Sequence, residues 1–380
     1  MEGVLSRRRD KIIAVVDIED GSAGVAILSL GQSDARVISH ARISSGNSAK
    51  EALQGVALRT ALRTAAKQAL EFAALAQSRQ RVEEVYAILH APLVRTGIAH
   101  ASRTFESETR IDDRLIGQVA KEAFASQSAI NTNNILEAYA YRIELNGYET
   151  SEPDGKDAHQ VNVTALFSDC EPELKSGLET EILSAFPASA INWRSGMRAS
   201  LTVLQAVHQE QRYVAAFVGS YDTYVTVNHG DHIAQCSVPE GTKTVLSKIA
   251  SGNTAEETLA FLRMIANDAC EGEKCTAVQT NLAVAEPELA RAFGEAFGPL
   301  SLERKLPDRL ILIADADVAT FFAQLFSRID FTQFTATTMP FSVHVISAAE
   351  LAEWLSMPEP MDTSLCIASA FVNIERSKET

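Results

Sequence analysis

Long apolar runs are missing from this sequence: nothing in it approaches the length a membrane-crossing helix needs. Basic residues are short as well. The chain has 34 Lys and Arg against 49 Asp and Glu, and the resulting net charge of −15 opposes binding to nucleic acid and gives no general attraction to anionic lipid. Cysteine is sparse, five residues scattered as expected of a reduced compartment. Cys270 and Cys275 flank an acidic turn at a spacing open to a metal pair or a disulfide, but with no second cysteine/histidine pair nearby in sequence, zinc is not expected. Low-complexity tracts and short repeats are absent. The opening MEGVLSRRRDK has a basic cluster at Arg7-Arg8-Arg9, read as a solvated terminus rather than a membrane contact. Ile12 to Val16 is too short for a signal-peptide core, so a cytoplasmic location is expected. What is plentiful is apolar content: 46% of 380 residues, enough for a sizeable core and two or more domains.

Two stretches organise the rest. Lys11 to Gly31 reads as a continuous apolar strand ended by Asp17, a turn at Glu19-Asp20-Gly21-Ser22, and a second apolar strand. A carboxylate at the end of a buried strand before a small-residue turn can bring backbone amides and a metal-ordering acid against a phosphate, although an ordinary buried hairpin has the same local pattern. Tyr213 to Gly230 repeats the arrangement, and laying Phe217 on Asp17 places Val225 on Val25 and Val227 on Ile27 without a gap. Two such hairpins half a chain apart predict a duplicated α/β unit with a cleft between the copies.

Between and after them the pattern predicts a strand at Arg36 to Ile43 and a long helix from about Ala49 to Gln77, with Leu53, Val56, Leu62, Ala66, Ala69 and Phe72 or Ala73 near one face. Strands follow at Val82 to Ala91 and Val94 to Phe105. From Thr104 to Ser168 a small α+β insertion is expected: a helix with Leu115, Ile116, Val119 and Phe124 inward, strands at Leu136 to Leu145 and Val161 to Phe167, then a helix from Glu171 to Phe186. Further helices are placed at Trp193 to Gln209, Ala255 to Ala269, Pro287 to Phe297, Asp317 to Phe326 and Ala348 to Leu355. Late strands are placed at Arg309 to Ala314, Phe341 to Ile346 and Leu365 to Val372. His229-Gly230-Asp231-His232 invites a metal reading, but it falls where a turn is needed.

In this order the chain resembles the FtsA/PilM branch of the actin-like superfamily. Leu145-Asn146-Gly147-Tyr148 with Pro153-Asp154-Gly155-Lys156 looks like that branch's "NGY…P.GK" segment, and Val238-Pro239-Glu240-Gly241 enters a helix as expected there. The resemblance implies an α/β, actin-like (RNase H-like), duplicated two-lobed fold with an SHS2-type insertion. It implies residues 8–103 as the first part of subdomain 1A, 104–170 as the insertion, 171–209 as the return to 1A, 210–240 and 308–380 as 2A, and 241–307 as 2B. It brings Asp17, Gly21, Ser22, Gly219, Ser220 and Gly241 to the nucleotide cleft.

The departures matter as much. Where active members read D-x-G-S/T, this chain has Asp17-Ile18-Glu19-Asp20, with extra acids that repel a triphosphate. The second motif, D-x-G-G-G-T, aligns with Phe217 to Asp222 and keeps only Gly219, so the metal-side acid is lost. Lys248 stands where a helix-borne acid belongs, and Ala314-Asp315 replaces a Gly-Gly beside the adenosine. No catalytic residue and no metal site are therefore expected, and ATP with Mg²⁺ is expected to bind weakly or not at all. By resemblance the chain is a PilM-like, non-catalytic assembly protein of a type IV pilus or related inner-membrane machine. It would bind the cytoplasmic tail of a bitopic partner, self-associate in some settings, and lie at the inner membrane only through that partner. An FtsA-like division protein is the alternative, but the final Val372 to Thr380 lacks the apolar face of an amphipathic anchor. A divergent ATPase or sugar-type kinase is the third, with Asp222 as the candidate acid.

Overall fold

A computed structural model describes residues 10–31, 35–45, 55–76, 81–125, 130–187, 189–208, 212–230 and 232–377. The first lobe is built on a sheet of β1 (Lys11–Glu19), β2 (Ser22–Leu30), β3 (Ala35–Ser44), β4 (Glu84–Leu89) and β9 (Ala190–Ser195), in the order β3-β2-β1-β4-β9. The second uses β10 (Arg212–Val218), β11 (Thr223–His229), β12 (Ile233–Val238), β13 (Arg309–Ile313) and β14 (Ser342–Val345), in the order β12-β11-β10-β13-β14. In both, the hairpin and third strand are antiparallel and the remaining two strands run parallel to the first. Asp17 pairs with Gly24 and Phe217 with Tyr224, so the two hairpins share one register.

The first strand of each hairpin has a largely apolar run because both of its faces are covered. Ile12, Ala14, Val16 and Ile18 pack under α1 (Gly55–Leu75) and α3 (Pro172–Ala185), while Ile13 and Val15 face a central core that joins the lobes. In β10 the alternation repeats: Val214, Ala216 and Val218 turn to the second lobe's own core, and Tyr213, Ala215 and Phe217 turn to the centre. By parity Asp17 points to that centre too. The central core is filled by α4 (Gly196–Val207) and α9 (Thr363–Ser377), which pack on each other.

The segment Leu365 to Val372, expected as a strand, lies inside α9 and is buried on all sides. Ala348 to Leu355 forms consecutive turns instead of a helix. Trp193 belongs to β9, and the helix expected from it starts at Gly196. Pro287 to Phe297 is part of a longer helix, α7 (Glu273–Glu303), which follows α5 (Thr242–Ile249) and α6 (Ala255–Ala266) and precedes α8 (Ala316–Arg328). On α1 the buried face is Leu58, Ala61, Leu62, Ala65, Ala66, Ala69 and Ala73, whereas Val56 and Phe72 are exposed and Leu53 lies outside the described residues. Of the two arrangements open to them, Cys270 and Cys275 take the disulfide, which removes them as a metal pair. At His229 the turn holds, closed by the His229 amide on the His232 carbonyl at 2.9 Å. Among the described residues no helix is long and apolar enough to cross a membrane.

A four-stranded sheet in the order β5-β8-β6-β7 stands beside the first lobe. It comprises β5 (Val94–Arg110), β6 (Ile135–Leu145), β7 (Tyr148–Glu149) and β8 (Asp157–Cys170), with α2 (Asp113–Ala125) on one face through Ile116, Val119 and Ala123. It is clamped at its base. Buried Glu137 of β6 accepts the Ser195 amide at 2.8 Å and Arg198 at 3.2 Å, and Arg198 in turn reaches Glu375 of α9 at 3.4 Å and covers the Tyr139 ring.

Candidate functional site

The two hairpin turns meet where the lobes face each other. Asp17 is fully buried at the end of β1, and its carboxylate is consumed by the protein itself: Arg42 of β3 pairs with one oxygen, Ser364 of α9 donates to it at 2.8 Å, and His90 lies 2.7 Å from the other. Burial would raise the Asp17 carboxyl, but the charges and hydrogen bonds of His90 and Arg42 outweigh it and hold the group well below the usual carboxylate range. The same pairing outweighs burial at His90 and raises its pKa. Arg42 also approaches Asp362 at 2.9 Å and Glu19 at 3.5 Å, and donates to Ser22 Oγ at 2.7 Å. Its guanidinium lies across Gly24, where a Cβ would come within 2.8 Å of it. Asp17, Glu19 and His90 have ligand atoms close enough for a metal ion, but Arg42 already supplies the cation there.

Asp20 does something the sequence did not disclose. Its side chain crosses to the second hairpin and accepts the backbone amides of Ser220 at 3.1 Å and Tyr221 at 2.9 Å. A pair of turn amides aimed at one oxyanion is the arrangement that would cradle a phosphate, and here a carboxylate fills it. Burial lifts the Asp20 carboxyl to about 6, with Glu19 and Asp222 adding to the rise against the pull of the two amides. The neighbouring amides are also taken: Gly219 N–H donates to the Asp222 carbonyl, Thr242 N–H to the Gly219 carbonyl at 3.0 Å and Lys243 N–H to the Ser220 carbonyl at 2.7 Å. The last two belong to the first turn of α5, whose N-terminus thus caps a protein turn instead of a ligand.

The glycines make this contact possible. A Cβ on Gly21 would fall 2.7 Å from Ser220 Oγ, and one on Gly241 would fall 2.7 Å from the Gly219 carbonyl and the Tyr221 backbone. Gly21 is therefore drawn against Ser220 and Gly241 against Gly219, while Asp17 and Ser22 are held beside them by Arg42. Phe217, at the position matching Asp17, stacks on His90 with ring centroids 4.9 Å apart. Lys248 pairs with Glu240 on its own lobe.

The cleft that remains has a volume of about 170 Å³ and is lined by Glu19, Arg42, Gly219, Lys243, Ala314 and Asp315 among others. Ligand pockets usually enclose roughly 300 Å³ or more. Asp315 opens onto this cleft, and burial together with Glu19 and Asp362 pushes its carboxyl up to about 7. The residues that sequence reasoning missed are Arg42, His90 and Ser364. For the first, the available signal was an arginine inside a strand next to the first hairpin, at the position paired with Gly24; the other two come from distant segments.

Neither a protein-family model nor a curated protein sequence matches this chain. Solved structures do. The PilM-PilN type IV pilus biogenesis complex superposes with a TM-score of 0.56, covering 97% of this chain and 98% of that chain at 12% identity. A glycerol dehydratase reactivase gives 0.49 over 96% of this chain and 100% of that one at 9% identity. The ethanolamine utilization protein EutJ from Carboxydothermus hydrogenoformans gives 0.45 over 96% and 90%, also at 9% identity. Two sheets of one strand order, facing each other across a cleft and matched along their whole length by such a structure, give this chain the two-lobed actin-like ATPase fold.

Proposed function

We propose that this protein is a non-catalytic assembly scaffold on an actin-like fold, a PilM-like component of a type IV pilus or related inner-membrane machine. The reading rests on one observation above all: the amides that would cradle phosphate are occupied by Asp20 and by turn carbonyls, so the cleft is closed by its own residues. Loss of the acid at Phe217 and neutralisation of Asp17 by Arg42 remove the groups that would order Mg²⁺. Likeness to the PilM-PilN complex along nearly the whole of both chains supports the choice of machine. On this reading residues 104–170 serve as an SHS2-type subdomain, and the partner is the cytoplasmic tail of a bitopic inner-membrane protein, through which the scaffold reaches the membrane.

Calorimetry of the full chain with Mg-ATP, paired with a phosphate-release assay, tests the first half; weak binding and no turnover are expected. Micromolar binding with turnover abolished by Asp17→Ala refutes it. Anisotropy titrations with labelled cytoplasmic tails of bitopic proteins encoded beside this chain test the second half, and failure of every tail to bind removes the scaffold assignment.

A further inference from the structure

Away from the cleft, three metal-ligating side chains from separate segments converge. His208 follows α4, His344 sits on the edge strand β14, and Glu350 lies in the turns after it; one donor atom from each falls within 4.8 Å of the others. All three are half-buried, so the position is dry enough to hold an ion and open enough to admit one. We infer that His208, His344 and Glu350 form a binding site for a divalent transition metal of the zinc class, with water completing the coordination.

The donor set chooses the ion. Two imidazoles and one carboxylate match zinc and its first-row neighbours, whereas magnesium and calcium take oxygen shells. The carboxylate is already aimed: Glu350 Oε2 accepts from the Ser347 amide and hydroxyl, both at 2.8 Å, which fixes Oε1 toward His344 Nε2 at 2.6 Å. Outer hydrogen bonds of this kind orient ligands in metal sites. The two imidazole rings stand edge to face with centroids 5.2 Å apart, so small rotations bring their nitrogens around one point. Arg309 Nη2 approaches His208 Nδ1 at 3.4 Å, longer than an ordinary N–H donor contact, and an ion on that nitrogen would displace it. Bound metal would fasten the end of the first lobe's α4 to the edge of the second lobe's sheet.

The test is a titration of untagged, chelator-stripped full chain with Co²⁺, followed by absorption in the visible and by competition with Zn²⁺. One equivalent is expected to bind. His208→Ala and His344→Ala should each weaken binding by more than about tenfold, the scale on which even outer-shell losses act. Glu350→Gln, which keeps an acceptor for Ser347, should weaken it as well. Thermal melts of the variants in chelator should match wild type, separating lost ligation from lost folding. Binding that persists in both histidine variants, that is abolished by His90→Gln instead, or that is absent from wild type overturns the site.

Discussion

Replacing Asp17 separates the role this structure gives it from the metal-ordering role the fold would otherwise assign. Here the carboxylate is the centre of a buried ionic knot, and its removal strands the partners. Breaking a buried pair by removing one member costs roughly 3–5 kcal/mol. Arg42 keeps Asp362 and Glu19, so its share of that loss is softened, and Asp17→Ala should destabilise by about 3 kcal/mol. The cost should depend on pH. With Asp17 present, His90 has a folded pKa above its ordinary 6.5; the stabilisation this gives is complete below 6.5 and is lost as pH rises through the raised value. Without Asp17, burial, the largest influence, and Arg42 lower the imidazole pKa against only the pull of Glu19. The difference between wild type and variant should therefore be larger at about pH 5.5 than at about pH 8, measured by urea unfolding at both. A loss below about 1 kcal/mol, the scale of an exposed ion pair, or one that does not change with pH, would refute the knot.

Two further outcomes follow from the same geometry. Asp20 has its folded pKa raised from 3.8 to about 6, so its contribution is most favourable below 3.8 and declines as pH rises through about 6; the stability of wild type relative to Asp20→Ser should fall by on the order of 2 kcal/mol between about pH 4.5 and pH 7.5, and chemical denaturation at the two values checks it. Glu137→Ala leaves the Ser195 amide without its buried acceptor and Arg198 with Glu375 alone, and should cost about 3 kcal/mol and raise hydrogen exchange in β6 before it does so in β1, a contrast that mass spectrometry can read.

The frame of this fold was legible because it depends on local pattern. Ile12 to Val16 and Tyr213 to Val218 announce strands covered on both faces, and their common register is the register the structure shows. Leu365 to Val372 misled for a related reason: a helix buried all round, like a buried strand, loses its periodicity, and LCIASAFV reads the same either way. Trp193 to Ser195 misled in the opposite sense: the short strand runs straight into the helix, and the one boundary signal, Ser195 capping the Arg198 amide ahead of Gly196, lies inside the run read as continuous helix. At the cleft, the sequence showed which residues departed from a phosphate site but not what they did instead. Asp20 finds its donor amides 200 and 201 residues away, and Arg42, His90 and Ser364 reach Asp17 from three other segments. Such contacts depend on the assembled fold and leave no trace in spacing.

The four-stranded sheet touches more than the first lobe beside it. Leu166 packs with Leu201 of α4 and Ile233 of β12, with Ile98, Tyr141 and Met197 around them, and Gln235 of β12 donates to the Thr96 carbonyl. Lobe one, lobe two and the four-stranded sheet therefore form a braced triangle. A two-lobed clamp joined at one hinge can swing, whereas a triangle with three packed corners cannot open without breaking one. Swinging the second lobe away would bring Leu166, Leu201 and Ile233 into water, at about 25 cal/mol for each Å² of apolar surface exposed.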